Sequence, residues 1–214
     1  MRLMKASLIA LMILALPAAA MAAAAPDKAE KVAAKMLNLD KAIAEITTQL
    51  DATVNAMNAL AAQGGDLTSK YKAFTDNMTK LDKMAAKAKS TAETARAQRE
   101  EYLKQVQAAA AQIQNPELKA TLEARKAELA PKIETIRTSL TSARDTYTPF
   151  MQDLKDLSLF LGNQLNPTGV ASASTLMAKA TTNGAKVKAD LTSASEGVKS
   201  LAASIQPGGA PAAK

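Results

Sequence analysis

Apolar residues recur along this chain in steps of three and four, and four separate stretches carry the pattern. The longest begins at Leu67 and passes through Tyr71, Phe74, Met78 and Leu81. It continues through Ala85, Ala88, Ala92 and Ala95 to Tyr102, Val106 and Ile113. A sustained 3.5-residue period is the signature of a helix whose seam faces other helices. At 1.5 Å per residue this helix is roughly 70 Å long. Arg99 alone interrupts the seam, and an arginine stem can lie on apolar surface with its head in water.

The pattern then reverses. Asn115 suits a helix N-cap and Pro116 the first helical position, where a missing N–H costs nothing. The returning seam is regular from Leu129 through Ile133, Ile136, Leu140, Ala143, Tyr147 and Phe150 to Leu161. Pro131 and Pro149 fall inside it, and because the heptad phase carries across both, they predict kinks rather than ends. Before this hairpin, Val32, Met36, Leu39, Ile43, Ile46 and Leu50 mark an earlier helix, whose seam continues through Thr53 to Leu60. Gly64 and Gly65 end it with positive-φ freedom, and Asp66 caps the next helix. After the hairpin, Asn166-Pro167-Thr168-Gly169 reads as a turn. A last helix follows, rich in Ser and Thr, with Asn183-Gly184 as a candidate break. Gly184 lies on the seam, so Gly184→Ala is expected to stabilise a continuous helix by roughly 0.5–1 kcal/mol.

The predicted fold is all-α. It is an elongated antiparallel four-helix coiled-coil bundle with a protruding two-helix hairpin tip. The helices fall at about 27–62, 67–114, 116–165 and 170–206, within one domain spanning 27–206. Residues 207–214 read as a disordered tail. The outer helices are too short to cover the hairpin, so 103–128 should project as two helices alone. The alanines between Ala85 and Ala95 predict thin, close helix packing.

Targeting changes the picture next. Arg2 and Lys5, an apolar run from Ala6 to Leu16, and Ala20-Met21-Ala22 make a signal peptide over 1–22, with the mature chain starting at Ala23 and cleavage after Ala24 as the alternative. Its loss removes two positive charges and no negative ones, lowering the formal charge from +7 to about +5. The run is short for a membrane span, though retention as an anchor stays open. The expected location is periplasmic or secreted, with no cysteine to carry a lipid or a disulfide.

With neither histidine nor cysteine in 214 residues, the usual nitrogen and sulfur metal sites and Ser-His or Cys-His nucleophiles are excluded. Glu100-Glu101 and the pair Asp153 and Asp156 read as surface charge rather than acid/base machinery. No cofactor is expected, and the chain reads as a non-enzyme. Aromatics are 3% of residues and sit on or beside the seams, as core filler.

Two stretches carry a resemblance. Gly64-Gly65-Asp66-Leu67 followed by Tyr71, and Thr148-Pro149-Phe150-Met151-Gln152-Asp153-Leu154-Lys155-Asp156 leading into Leu161 and Asn166, resemble the exported bacterial coiled-coil family known as domain-of-unknown-function 2959. The resemblance covers most of 28–205. Members of that family are often lipoproteins. It implies a helical envelope protein and offers no catalytic or binding residues.

The expected role is structural or protein-interacting in the bacterial cell envelope. The interaction tip would comprise Val106, Ile113, Asn115, Pro116, Leu118 and Leu122. A protein partner in the envelope is expected and nucleic acid is not. The modest basic charge also admits an anionic membrane surface, and the seams admit a homo-oligomer. Two alternatives stand beside this role. One is a periplasmic holdase chaperone using Met78, Met84, Met151 and Met177, since methionine adapts to varied surfaces. The other is an amphipathic protein that opens onto lipid.

Overall fold

The computed structural model describes residues 18–62 and 65–206, with side chains from 27 onwards. Within them the chain is all-α. The helices are α1 (Ala18–Ala61), α2 (Leu67–Gln112), α3 (Pro116–Asn163), α4 (Pro167–Ser172) and α5 (Ser174–Ile205). The predicted tail and residues 1–17 of the predicted signal peptide lie outside the described residues.

The caps are as local chemistry dictates. The Asp66 carboxylate accepts from the amides of Thr68 at 2.9 Å and Ser69 at 3.3 Å, and Gly65 takes a φ of +79° ahead of it. The Asn115 side chain accepts from the amides of Glu117 and Leu118, with Pro116 at the helix start. α3 runs unbroken through Pro131 and Pro149. Lys70 donates at 3.0 Å to the Ala62 carbonyl at the end of α1, a cation where the helix dipole favours one.

Three boundaries differ from the sequence reading. α1 begins at Ala18 rather than Asp27, because the alanine run is itself a strong helix former. Asn166-Pro167 starts a helix instead of a turn: the Asn166 side chain accepts from the Gly169 amide and Pro167 occupies the first turn. The break in the last segment falls at Ala173, and α5 passes through Asn183 and Gly184 without interruption.

Packing follows the heptads unevenly. α1 lies against α2 and α5 over long stretches, and α3 lies against α5. α2 and α3 touch far less. Each contacting pair is antiparallel. Gln49 meets Asn77 across α1 and α2. Asp51 meets Lys188, and Asn58 meets Thr181, across α1 and α5. Ser142 meets Asp190 and Asp153 meets Lys179 across α3 and α5. The core is a row of fully buried side chains, among them Met36, Leu50, Met57, Phe74, Phe150 and Leu201. Thr53, buried on the α1 seam, donates at 2.7 Å to its own helix at Gln49. Burial therefore costs that hydroxyl no hydrogen bond.

Asp153 is a correction to the sequence reading. It is buried rather than on the surface. Its two oxygens accept from Lys179 at 3.0 Å and from the Asn183 amide at 3.5 Å, a structural tie between α3 and α5. The aromatics also divide. Phe74 and Phe150 fill the core, whereas Phe160 is 43% exposed.

Candidate functional site

Two features stand out from an otherwise closed bundle, the hairpin tip and a cleft part-way along it.

At the tip, Ile113, Val106 and Leu122 are half-buried, and Asn115, Pro116 and Leu118 are exposed, Leu118 by 58%. Within 103–128 only Ala110 is buried. Two helices alone have no third or fourth partner under which to bury a seam. The bare part is shorter than the sequence implied. Arg125 donates at 3.0 Å to the Ser204 carbonyl at the end of α5, and Lys132 binds Ser204 Oγ. On the other side, the register set by Gln49 and Asn77 brings Ala23, the expected mature start, level with about residue 103, as the sequence implied.

The cleft lies between α2 and α3, with Ile43 of α1 and Leu191 of α5 in its floor, and its volume is about 740 Å³. Its walls come from one heptad position on each helix: Ala85, Ala92 and Arg99 on α2, and Ile133, Leu140 and Tyr147 on α3. All six are half-buried, while the companion seam residues Leu81, Ala88, Ala95, Ile136, Ala143 and Phe150 are buried. The cause is side-chain size. α1 and α5 touch along the middle and hold the outer helices at their own spacing. On the α2 side Ala85 and Ala92 project only methyl groups into the gap, too short to reach Leu140. The alanines thus leave a space where the sequence suggested close packing.

The ends of the cleft are polar. The Arg99 side chain is only 15% exposed, so the expectation that its head stands in water does not hold. Its Nε is buried without a hydrogen-bond partner. Its one carboxylate neighbour, Glu100, is 3.6 Å away and is held more closely by Arg96 Nε at 2.7 Å. Burial pushes the guanidinium below its usual value, offset in part by Glu100 and reinforced by Arg96. At the opposite end the Tyr147 hydroxyl is also buried without a partner. Burial, with the Asp82 charge nearby, raises its pKa. Buried donors without acceptors are rare and costly, which makes each a feature to be explained. The sequence marked Arg99 as the one break in the seam, but nothing in the periodicity showed that it closed a cavity.

The two stretches that carried the resemblance meet at the other end of the bundle. Tyr71 Oη donates to the Ser158 carbonyl, and Phe150 and Leu154 are fully buried close by in sequence. Residues 19–204 match the family model described as "Protein of unknown function (DUF2959)". The chain belongs to that family. No curated protein and no solved structure matches it. Among the described residues of this family member, no group of three or more Asp and Glu side chains is placed to hold a metal ion. No described helix is long and apolar enough to cross a membrane.

Proposed function

We propose that this chain is a non-enzymatic interaction protein, exported to the bacterial cell envelope, that reaches a protein partner with its hairpin tip. The observation that carries the reading is the contrast in burial. Leu118 stands 58% exposed at the tip while Leu154, Leu157 and Leu161 at the opposite end are 0–1% exposed. A tip that adds so little buried surface contributes little to folding, so its length serves another end. Export rests on the basic start, the apolar run and Ala20-Met21-Ala22. N-terminal sequencing of the protein from its host checks it, with Ala23 expected and an intact Met1 in membranes overturning it.

The tip is tested by replacing 104–127 with a short helix-to-helix turn and combining melting with in-cell crosslinking. The reading expects nearly unchanged melting and loss of the partner that the intact chain captures. Unfolding of the shortened chain, or undiminished capture, overturns it. The holdase alternative loses part of its argument, because Met151 and Met177 are core residues, 4% and 2% exposed. Met78 and Met84 are half-buried against the same core.

A further inference from the structure

The α2–α3 cleft is long and narrow, with apolar walls, the largely buried Arg99 at one end, and the exposed Lys89, Glu93, Arg137 and Arg144 along its edges. From Arg99 to the level of Tyr147 it spans about 17 residues of α2, or roughly 25 Å at 1.5 Å per residue. One leaflet of a bilayer, half of a hydrocarbon core roughly 30 Å thick, is shorter than this. A whole acyl chain therefore fits lengthwise. The volume of about 740 Å³ lies within the roughly 300–1,000 Å³ of small-molecule sites.

Charge narrows the occupant further. Arg99 Nε points its proton at no acceptor, and Arg96 adds a second positive charge beside it. Glu100 is already taken up by Arg96. Nε itself is closed off from the cleft, so a carboxylate would meet the terminal guanidinium nitrogens, whose nearest carboxylate, Glu100, stands 3.6 Å away. Tyr147 and Asp82 close the opposite end, where the nearby cations are already paired, Lys155 with Asp82 at 3.9 Å and Arg144 with Asp145 at 2.8 Å. We infer that the cleft binds one long-chain fatty acid, its carboxylate at Arg99 and its hydrocarbon chain passing between Ala92 and Leu140 towards the Tyr147 ring.

The test uses the full mature chain and anthroyloxy-labelled stearate as a fluorescent probe. Saturable binding of one probe per chain is expected, displaced by palmitate. Methyl palmitate, which has no charge, should displace it about ten- to a hundredfold less well, the worth of one charge-assisted hydrogen bond. Arg99→Gln should weaken palmitate by a similar factor and leave the methyl ester unaffected. Ala92→Leu, which fills the cleft from its wall, should abolish probe binding with melting retained; if that variant fails to fold, Ala85→Leu serves in its place. The inference is overturned by absence of saturable binding, by equal displacement by acid and ester, or by undiminished binding in a folded cleft-filled variant. It is equally overturned if the wild type sediments as a dimer that Ala92→Leu dissociates, since the cleft would then be an interface between copies.

Discussion

The Tyr71 hydroxyl donates a 2.8 Å hydrogen bond to the Ser158 carbonyl, joining the start of α2 to the end of α3. The bond crosses the same side of the bundle that stands open further along. One pair of helices is thus closed at one end and parted in the middle. The closed end is held by a polar contact over fully buried leucines, Leu157 and Leu161. The open stretch has alanine where such side chains would be needed.

Tyr71→Phe removes that bond together with the longer contact, 3.3 Å, of the same hydroxyl with Ser158 Oγ. A neutral hydrogen bond of this kind contributes about 0.5–1.5 kcal/mol net. For a chain of this size a loss of that order lowers the melting temperature by a few degrees, at about 2–4 °C per kcal/mol. Thermal unfolding followed by circular dichroism checks it. An unchanged midpoint would show that water replaces the Tyr71 hydroxyl at the Ser158 carbonyl at no cost.

Tyr147→Phe should behave in the opposite way. Its hydroxyl is buried with no partner, so the folded state carries a desolvation cost with no bond to offset it. Removing the oxygen should leave the melting temperature unchanged or raise it. A clear fall would reveal an unseen partner for the hydroxyl.

Acid should weaken the fold through its caps and pairs. The Ser69 hydroxyl and the Thr68 amide hold the Asp66 carboxyl below its usual 3.8. Arg96, Lys132 and Arg137 hold Glu100, Glu128 and Glu134 below 4.5 in the same way. A group with a depressed folded pKa binds protons more readily when unfolded. Its contribution is complete above the unfolded value and is lost as pH falls through the folded one. Urea midpoints should therefore be flat from about pH 7 to 5 and fall below about 4. Asp66→Asn, which caps without titrating, should make that fall shallower. An identical acid limb in the variant would remove Asp66 from the account.

The register of every long helix was legible because a 3.5-residue period identifies which residues face inward, and Leu81, Ala88, Ile136 and Leu154 are all buried. Asp66 and Asn115 were legible because an N-cap is local chemistry. Periodicity does not report how far apart two helices stand, so the Ala85 and Ala92 positions looked like close packing. The spacing there is set by α1 meeting α5, a contact between segments more than a hundred residues apart, as in Asp51 with Lys188. Asp153 was misread for a similar reason. Its spacing from Asp156 suggested a solvated face, while its partners Lys179 and Asn183 arrive from another helix. At the tip, the residues chosen from sequence are where the chain turns, but the reach of Ser204 to Arg125 shortens the bare span.

Gly184 offers the sharpest test of the packing. It is buried within a continuous helix, where alanine would ordinarily be favoured by roughly 0.5–1 kcal/mol. A Cβ at this position would stand 3.0 Å from Val54 Cγ2 and 3.4 Å from Phe150 Cε2. At 3.4 Å the fully buried Phe150 is at ordinary contact distance, so it is the half-buried Val54 that must give way, by a few tenths of an ångström. Overpacking of this kind typically costs about 1–3 kcal/mol. It outweighs the propensity gain, and the sign expected from the sequence alone is reversed. Gly184→Ala should lower stability by about 1 kcal/mol. Val54→Ala removes the obstructing methyl, and in that background Gly184→Ala should regain the stabilisation of roughly 0.5–1 kcal/mol expected of a helix interior. The two substitutions should therefore be coupled in a double-mutant cycle of urea unfolding. If Gly184→Ala has the same effect in both backgrounds, the approach of α1 to α5 at this point does not decide the residue.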